Sequence, residues 1–107
     1  MNIAKSRSGK VAASSVLDAI SRHSAQMRRF GVKSLGLSGS AARGDARKDS
    51  DLDFVVEFKK KTFDDYMGLK FYLEELFHRD VDLVIADTIK PALRTRILSE
   101  ARYAQGL

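Results

Sequence analysis

The chain has 107 residues, enough for one domain and too few for two of ordinary size. Hydrophobic residues make up 44% and charged residues 31%, which excludes a disordered chain, and the lack of cysteine excludes disulfides, thiolate catalysis and cysteine-held zinc. Lys and Arg number 19 against 14 Asp and Glu, a net charge of +5 scattered along the chain rather than gathered in one basic tract.

The first residues are small and polar and predict an N-terminal arm over 1–13, with the domain proper at 14–107. Val16, Ile20, Met27 and Phe30 recur at helical spacing. They predict one amphipathic helix over 14–30, capped by Ser14 or Ser15 and stopped by Gly31. Residues 32–38 predict a short strand with Leu35 and Leu37 on one face. The stretch 39–50 is rich in Gly, Ala, Ser and charge and reads as a turn with room for one helical turn. Residues 52–58 alternate: Leu52, Phe54, Val56 and Phe58 share one face, and Asp51, Asp53, Val55 and Glu57 the other. Phe63, Tyr66, Leu69, Leu73 and Leu76 then follow a helical period to about residue 77, with Thr62 as cap and Asp64 and Asp65 at the positive N-terminal end. Val81, Leu83 and Ile85 predict a third strand with Asp80 and Asp82 opposite. Pro91 suits the first turn of a last helix with Leu93, Ile97 and Ala101 inward. The expected fold is a small α/β domain: a three-stranded mixed sheet whose apolar face is covered by helices and whose other face carries the acids.

The strongest chemical pattern is Gly39-Ser40, ten residues, then Asp51-Leu52-Asp53. Residues two apart on a strand point the same way, so the two carboxylates project together while Leu52 enters the core. Carboxylates that close repel and call for a cation, a shared proton or full exposure. Magnesium prefers oxygen ligands and tolerates phosphate oxygens in its shell. Asp82 repeats the arrangement on another strand; Asp80 is one pair away, and Asp82 is favoured because it lies deeper in the apolar run. Three carboxylates can hold two metals about 3.5–4 Å apart, a clamp suited to phosphoryl or nucleotidyl transfer. Gly39 lets backbone approach a phosphate closely, Ser40 adds a hydroxyl and an N–H, and Arg43 offers a charged fork to phosphate or is a surface arginine of the turn. An exposed edge strand with solvated acids is the bland alternative.

Other patterns fail. Phe54 stands where a calcium loop needs glycine and Lys60 where it needs glutamate, and there is no standard P-loop. His23 and His78 lack ligand spacing and read as ordinary helix residues. No apolar run approaches the roughly 20 residues of a membrane span, and the basic N-terminus lacks a secretory apolar stretch, so no membrane partner and a cytoplasmic location are expected.

The run Gly39-Ser40-Ala41-Ala42-Arg43-Gly44, continued through Ser50-Asp51-Leu52-Asp53-Phe54-Val55-Val56, resembles the signature of the minimal nucleotidyltransferases of the DNA polymerase beta-like superfamily. Val81-Asp82-Leu83-Val84 is similar to their third-carboxylate strand, and the resemblance extends over roughly residues 14–103. It implies ATP as substrate with magnesium, two ions, and transfer of AMP to an acceptor with release of pyrophosphate. By position, Gly39 and Ser40 would hold the triphosphate, Asp51 and Asp53 the metals, and Asp82 would complete the cluster and help activate the acceptor hydroxyl. Small members of this kind are commonly antitoxins paired with a HEPN-domain ribonuclease toxin, which they inactivate by adding AMP to a tyrosine. The resemblance therefore implies a hetero-oligomer with such a toxin, and nucleic acid is not an expected partner. Two alternatives remain: neutralisation by stoichiometric binding without catalysis, and transfer to RNA or a small molecule.

Overall fold

Alternating apolar residues in three short segments must find helices to cover them, and this requirement organises the whole chain. The structure is a computed structural model that describes residues 12–47 and 50–107. The predicted arm at 1–13 lies largely outside the described residues; its last residue, Ala13, already opens a helix and is buried.

Helix α1 (Ala13–Arg22) and helix α2 (Ser24–Arg29) replace the single predicted helix. The break falls at His23, whose Nδ1 lies 2.8 Å from the Tyr72 hydroxyl. That tertiary partner is invisible to periodicity. Nor does a serine cap α1: its N-cap is Ala12, without a side-chain hydrogen bond. Gly31 does stop the segment, at φ +75. Strand β1 (Val32–Ser38) runs into a four-residue helix α3 (Gly39–Ala42), the helical turn expected inside the glycine-rich stretch. Strand β2 (Leu52–Phe58) follows, then helix α4 (Phe63–Phe77), strand β3 (Val81–Ile85), a 3-10 turn (Ala86–Thr88), helix α5 (Pro91–Glu100) and strand β4 (Arg102–Tyr103). Thr62 caps α4 as predicted, its Oγ1 accepting the Asp65 N–H at 3.1 Å. His78 is no helix residue but the left-handed C-cap of α4, at φ 55.

The α/β class and the mixed sheet stand, but the sheet has four strands, not three, in the order β3-β2-β1-β4. Strand β1 is antiparallel to β2 and β4, and β2 is parallel to β3. The fourth strand escaped prediction because it has two residues and no alternation; it exists only by pairing with Gly36 and Leu37.

The main core holds Leu35, Leu37, Leu52, Phe54, Val56 and Leu83 from the sheet against Val16, Ile20 and Met27 from α1 and α2, and Leu69 and Leu73 from α4. Phe63 and Leu93, counted inward by periodicity, are exposed, and Ala101 lies just past α5 as its C-cap. Helix α5 packs through Ile97 and Leu98 onto a second small cluster of Val55, Ala86 and Ile89. Val55 points to the acid side of β2, so α5 lies on the same side as the acids, and the helices do not all pack on one face as expected.

Candidate active site

Three strands meet at the same level on the acid face. Ser38, Asp53 and Asp82 are register partners across β1, β2 and β3. This row follows from the alternation of β2 and β3: Leu52, Phe54, Val81 and Leu83 are buried, so the intervening acids must face outward. Asp53 is half-buried and Asp82 exposed.

Asp53 feels its surroundings. Its carboxyl is pushed above the usual carboxylate range, first by burial, then by the charge of Asp82, then by that of Asp51. Asp51 itself is exposed, just before β2. The adjacent backbone is tied down: the Leu52 N–H donates to the Asp80 carbonyl at 3.1 Å, and Arg79 Nη1 donates to the Arg47 and Ser50 carbonyls at 3.0 Å each. Asp80 thus serves through its backbone, whereas Asp82 takes the place opposite Asp53. Nothing in the sequence pattern singled out Arg79, because its partners are main-chain carbonyls about thirty residues away.

Gly39 opens α3 at φ +64, and a Cβ built there would lie 2.5 Å from Asp53 Oδ2. Two demands therefore select glycine here: a left-handed backbone and close approach to a carboxylate. Ser40 is half-buried in the same turn, its carbonyl accepting the Asp45 N–H at 2.8 Å. Arg43 is not brought into the cleft. Its exposed guanidinium faces Asp45, with Nε 3.6 Å from Oδ2.

The row opens into a cleft of about 450 Å³. Its lining includes Ser38, Gly39, Asp53 and Asp82, then Val55 and Val84 of the sheet, and Leu93, Arg96, Ile97 and Glu100 of α5. Those four α5 residues have the spacing i, i+3, i+4, i+7 and share one helix face; Leu93 and Ile97 were readable from the helical period, whereas Arg96 and Glu100 were not. Nor was what the face covers. Arg94 fixes the start of this helix by donating from Nη2 to the Asp87 and Ile89 carbonyls, at 3.1 and 3.0 Å.

The donors present are hard oxygens; burial, then the charges of Asp82 and Asp51, raise the Asp53 carboxyl, and a divalent cation would relieve the repulsion among them. The residues therefore fit magnesium. Among the described residues no three acids are drawn together into a closed ligand set.

The sequence model described as "Nucleotidyltransferase domain" matches residues 20–104. The chain belongs to this family. This nucleotidyltransferase is 36% identical over 86 residues to the protein adenylyltransferase MntA of Thermococcus cleftensis, covering 78% of this chain and 87% of the relative. A solved structure of a candidate minimal nucleotidyltransferase superposes with a TM-score of 0.74 at 35% identity, over 85% of this chain and 94% of the other. A chain from the complex of a tri-AMPylated Shewanella oneidensis HEPN toxin with its MNT antitoxin shares the fold, with a TM-score of 0.58 at 17% identity over 85% of this chain and 73% of that one. The nucleotidyltransferase is therefore an enzyme of a known class. No helix among its described residues is long and apolar enough to cross a membrane.

Proposed function

We propose that this nucleotidyltransferase transfers AMP from ATP, with magnesium, to a tyrosine hydroxyl of a HEPN-domain ribonuclease toxin and so acts as its antitoxin. The observation that carries the reading is the row Ser38, Asp53 and Asp82 with the bare Cα of Gly39 against Asp53. The similarity to an MntA protein adenylyltransferase supports a protein acceptor.

In this reading Gly39 and Ser40 receive the triphosphate through backbone N–H groups and the serine hydroxyl. Asp51, Asp53 and Asp82 would hold the metal, two ions in the full complement, which supplies neutralisation of the triphosphate charge. Asp82, exposed and opposite Asp53, accepts the proton of the attacking hydroxyl. The tyrosine oxygen bonds to the α-phosphorus, the bond to the bridging oxygen of the β-phosphate breaks, and pyrophosphate leaves. A phenol near pKa ~10 needs less activation than an aliphatic alcohol. Arg43 joins only by leaving Asp45, an exposed pair worth about 0–1 kcal/mol and so easily exchanged for phosphate.

The test is incubation with labelled ATP, magnesium and the protein encoded beside this one. That protein is expected to gain AMP by intact mass, and the combined variant Asp51→Ala, Asp53→Ala is expected to transfer none while keeping its helical circular dichroism. Full labelling by the double variant would overturn the assignment. Neutralisation at one copy per toxin without nucleotide would replace catalysis by stoichiometric binding.

A further inference from the structure

The cleft has an apolar half that the phosphate chemistry leaves without a task. Two residues along from the acid row, Val55 and Val84 are register partners and form its floor. Leu93 and Ile97 of α5, with Ile89, form its wall. Val84 is 37% exposed and Leu93 48% exposed, two of the few large apolar side chains left open to water among the described residues, and both face this one cleft. Single exposed apolar groups need no explanation, but converging ones beside a charged row describe a site with an amphipathic occupant.

We propose that this apolar half is the subsite for the aromatic ring of the acceptor, so that the enzyme selects phenolic over aliphatic hydroxyls; the proposal rests on the reading of the chain as a transferase acting on tyrosine. The direction of approach decides between the acceptor ring and the nucleotide base. Gly39 and Ser40 place the triphosphate at the β1 end of the row. In an in-line displacement the attacking oxygen comes from the side opposite the leaving group, here the Asp82 side. The apolar half, with Val84 of β3 on its floor, lies on that side. At the β1 side the same level is closed, because the Tyr103 ring lies across Gly36, within 2.8 Å of where a Cβ would stand. A phenol in the subsite lays its ring on the Val55 and Val84 methyls and under Leu93 and Ile97, with its hydroxyl toward Asp82. A serine hydroxyl has no ring to fill this space and leaves the apolar walls in water.

The test uses the full chain and N-acetyl-tyrosinamide as probe. Methyl resonances of Val84, Leu93 and Ile97 are expected to shift with N-acetyl-tyrosinamide and to stay in place with N-acetyl-serinamide or adenosine. Shifts with adenosine instead, or none with N-acetyl-tyrosinamide up to its solubility, would overturn the proposal. In transfer assays Leu93→Ala is expected to raise KM for the tyrosine acceptor by roughly tenfold, with kcat and KM for ATP within about twofold of the parent. A rise in KM for ATP would make the pocket a base site and overturn the proposal. Leu93 is half exposed, so this variant is expected to melt with the parent. The methyl shifts do not depend on turnover, so failure of the ring subsite is distinguishable from failure of the transferase reading.

Discussion

Asp53 carries the sharpest conflict between stability and function. Its carboxyl is raised by burial and by the charges of Asp82 and Asp51. A carboxyl raised in the folded state favours folding while protonated, and that contribution is lost as pH rises through its folded pKa. Once ionised, the group therefore burdens the fold. Asp53→Asn is expected to raise the thermal midpoint at pH 7 in EDTA, to lose that advantage as pH falls through the carboxylate range, and to abolish transfer. Calorimetry across pH 3–8 checks the sign; a lower midpoint at pH 7 would show that the carboxylate is net stabilising. Asp53 and Gly39 stood out in the sequence because a paired-acid strand and a Gly-Ser turn are local patterns. Arg43 stood out by the same logic and is directed elsewhere, since whether a surface arginine faces a phosphate or Asp45 depends on the path of the turn.

Among the elements, α4 does more than cover the core. Tyr66, Lys70 and Glu74, one helical turn apart, form a ladder along the outer edge of β3. The Tyr66 hydroxyl donates to the Leu83 carbonyl at 2.7 Å, Lys70 Nζ to the Val81 carbonyl at 3.0 Å, and the Val81 N–H donates to Glu74 Oε2 at 3.0 Å. Lys70 Nζ also bonds Glu74 Oε2 at 2.8 Å. The edge is thereby closed to other strands, and Asp82 is held in register with Asp53. The Lys70 hydrogen bond, then the Val81 N–H, hold the Glu74 carboxyl below its usual range. A lowered carboxyl stabilises above its unfolded pKa and loses that contribution as pH falls through its folded pKa. Glu74→Gln is therefore expected to lower the urea midpoint at pH 7, with the gap to the parent closing as pH falls below the ordinary carboxylate range. A gap constant with pH would refute an ionic role. The period of α4 was readable from Tyr66, Leu69 and Leu73, but the polar partners of Tyr66, Lys70 and Glu74 were not, because they are main-chain groups of β3.

At the scale of the whole molecule, the last residues complete the sheet. Strand β4 pairs with β1, the Ala104 N–H donates to the Leu35 carbonyl at 3.0 Å, and Leu107 packs on the main core. Ser21 Oγ and Arg28 Nη1 donate to the Gln105 and Gly106 carbonyls, at 3.0 and 2.8 Å, binding this segment to α1 and α2. Truncation after Ala101 removes these bonds and the Tyr103 ring from Gly36 and bares the β1 edge. A loss of about 2 kcal/mol is expected, roughly 10 °C in thermal midpoint for a domain of this size, with aggregation on heating. An unchanged midpoint would show that the three-stranded sheet predicted from the sequence is self-sufficient.

The small size of the chain, its α/β order, its three long strands and the Gly-Ser and paired-acid pattern were all determined by the sequence itself. Each rests on local rules: alternation, helical period, capping and backbone freedom. Tertiary structure decided what depends on residues far apart. It broke the first helix at His23 against Tyr72, raised a two-residue segment to a strand on β1, set Asp82 rather than Asp80 opposite Asp53, and laid α5 over the acid face. Pairing register and the choice of which face a helix covers are set by the packing of the whole core, and no window of sequence contains them.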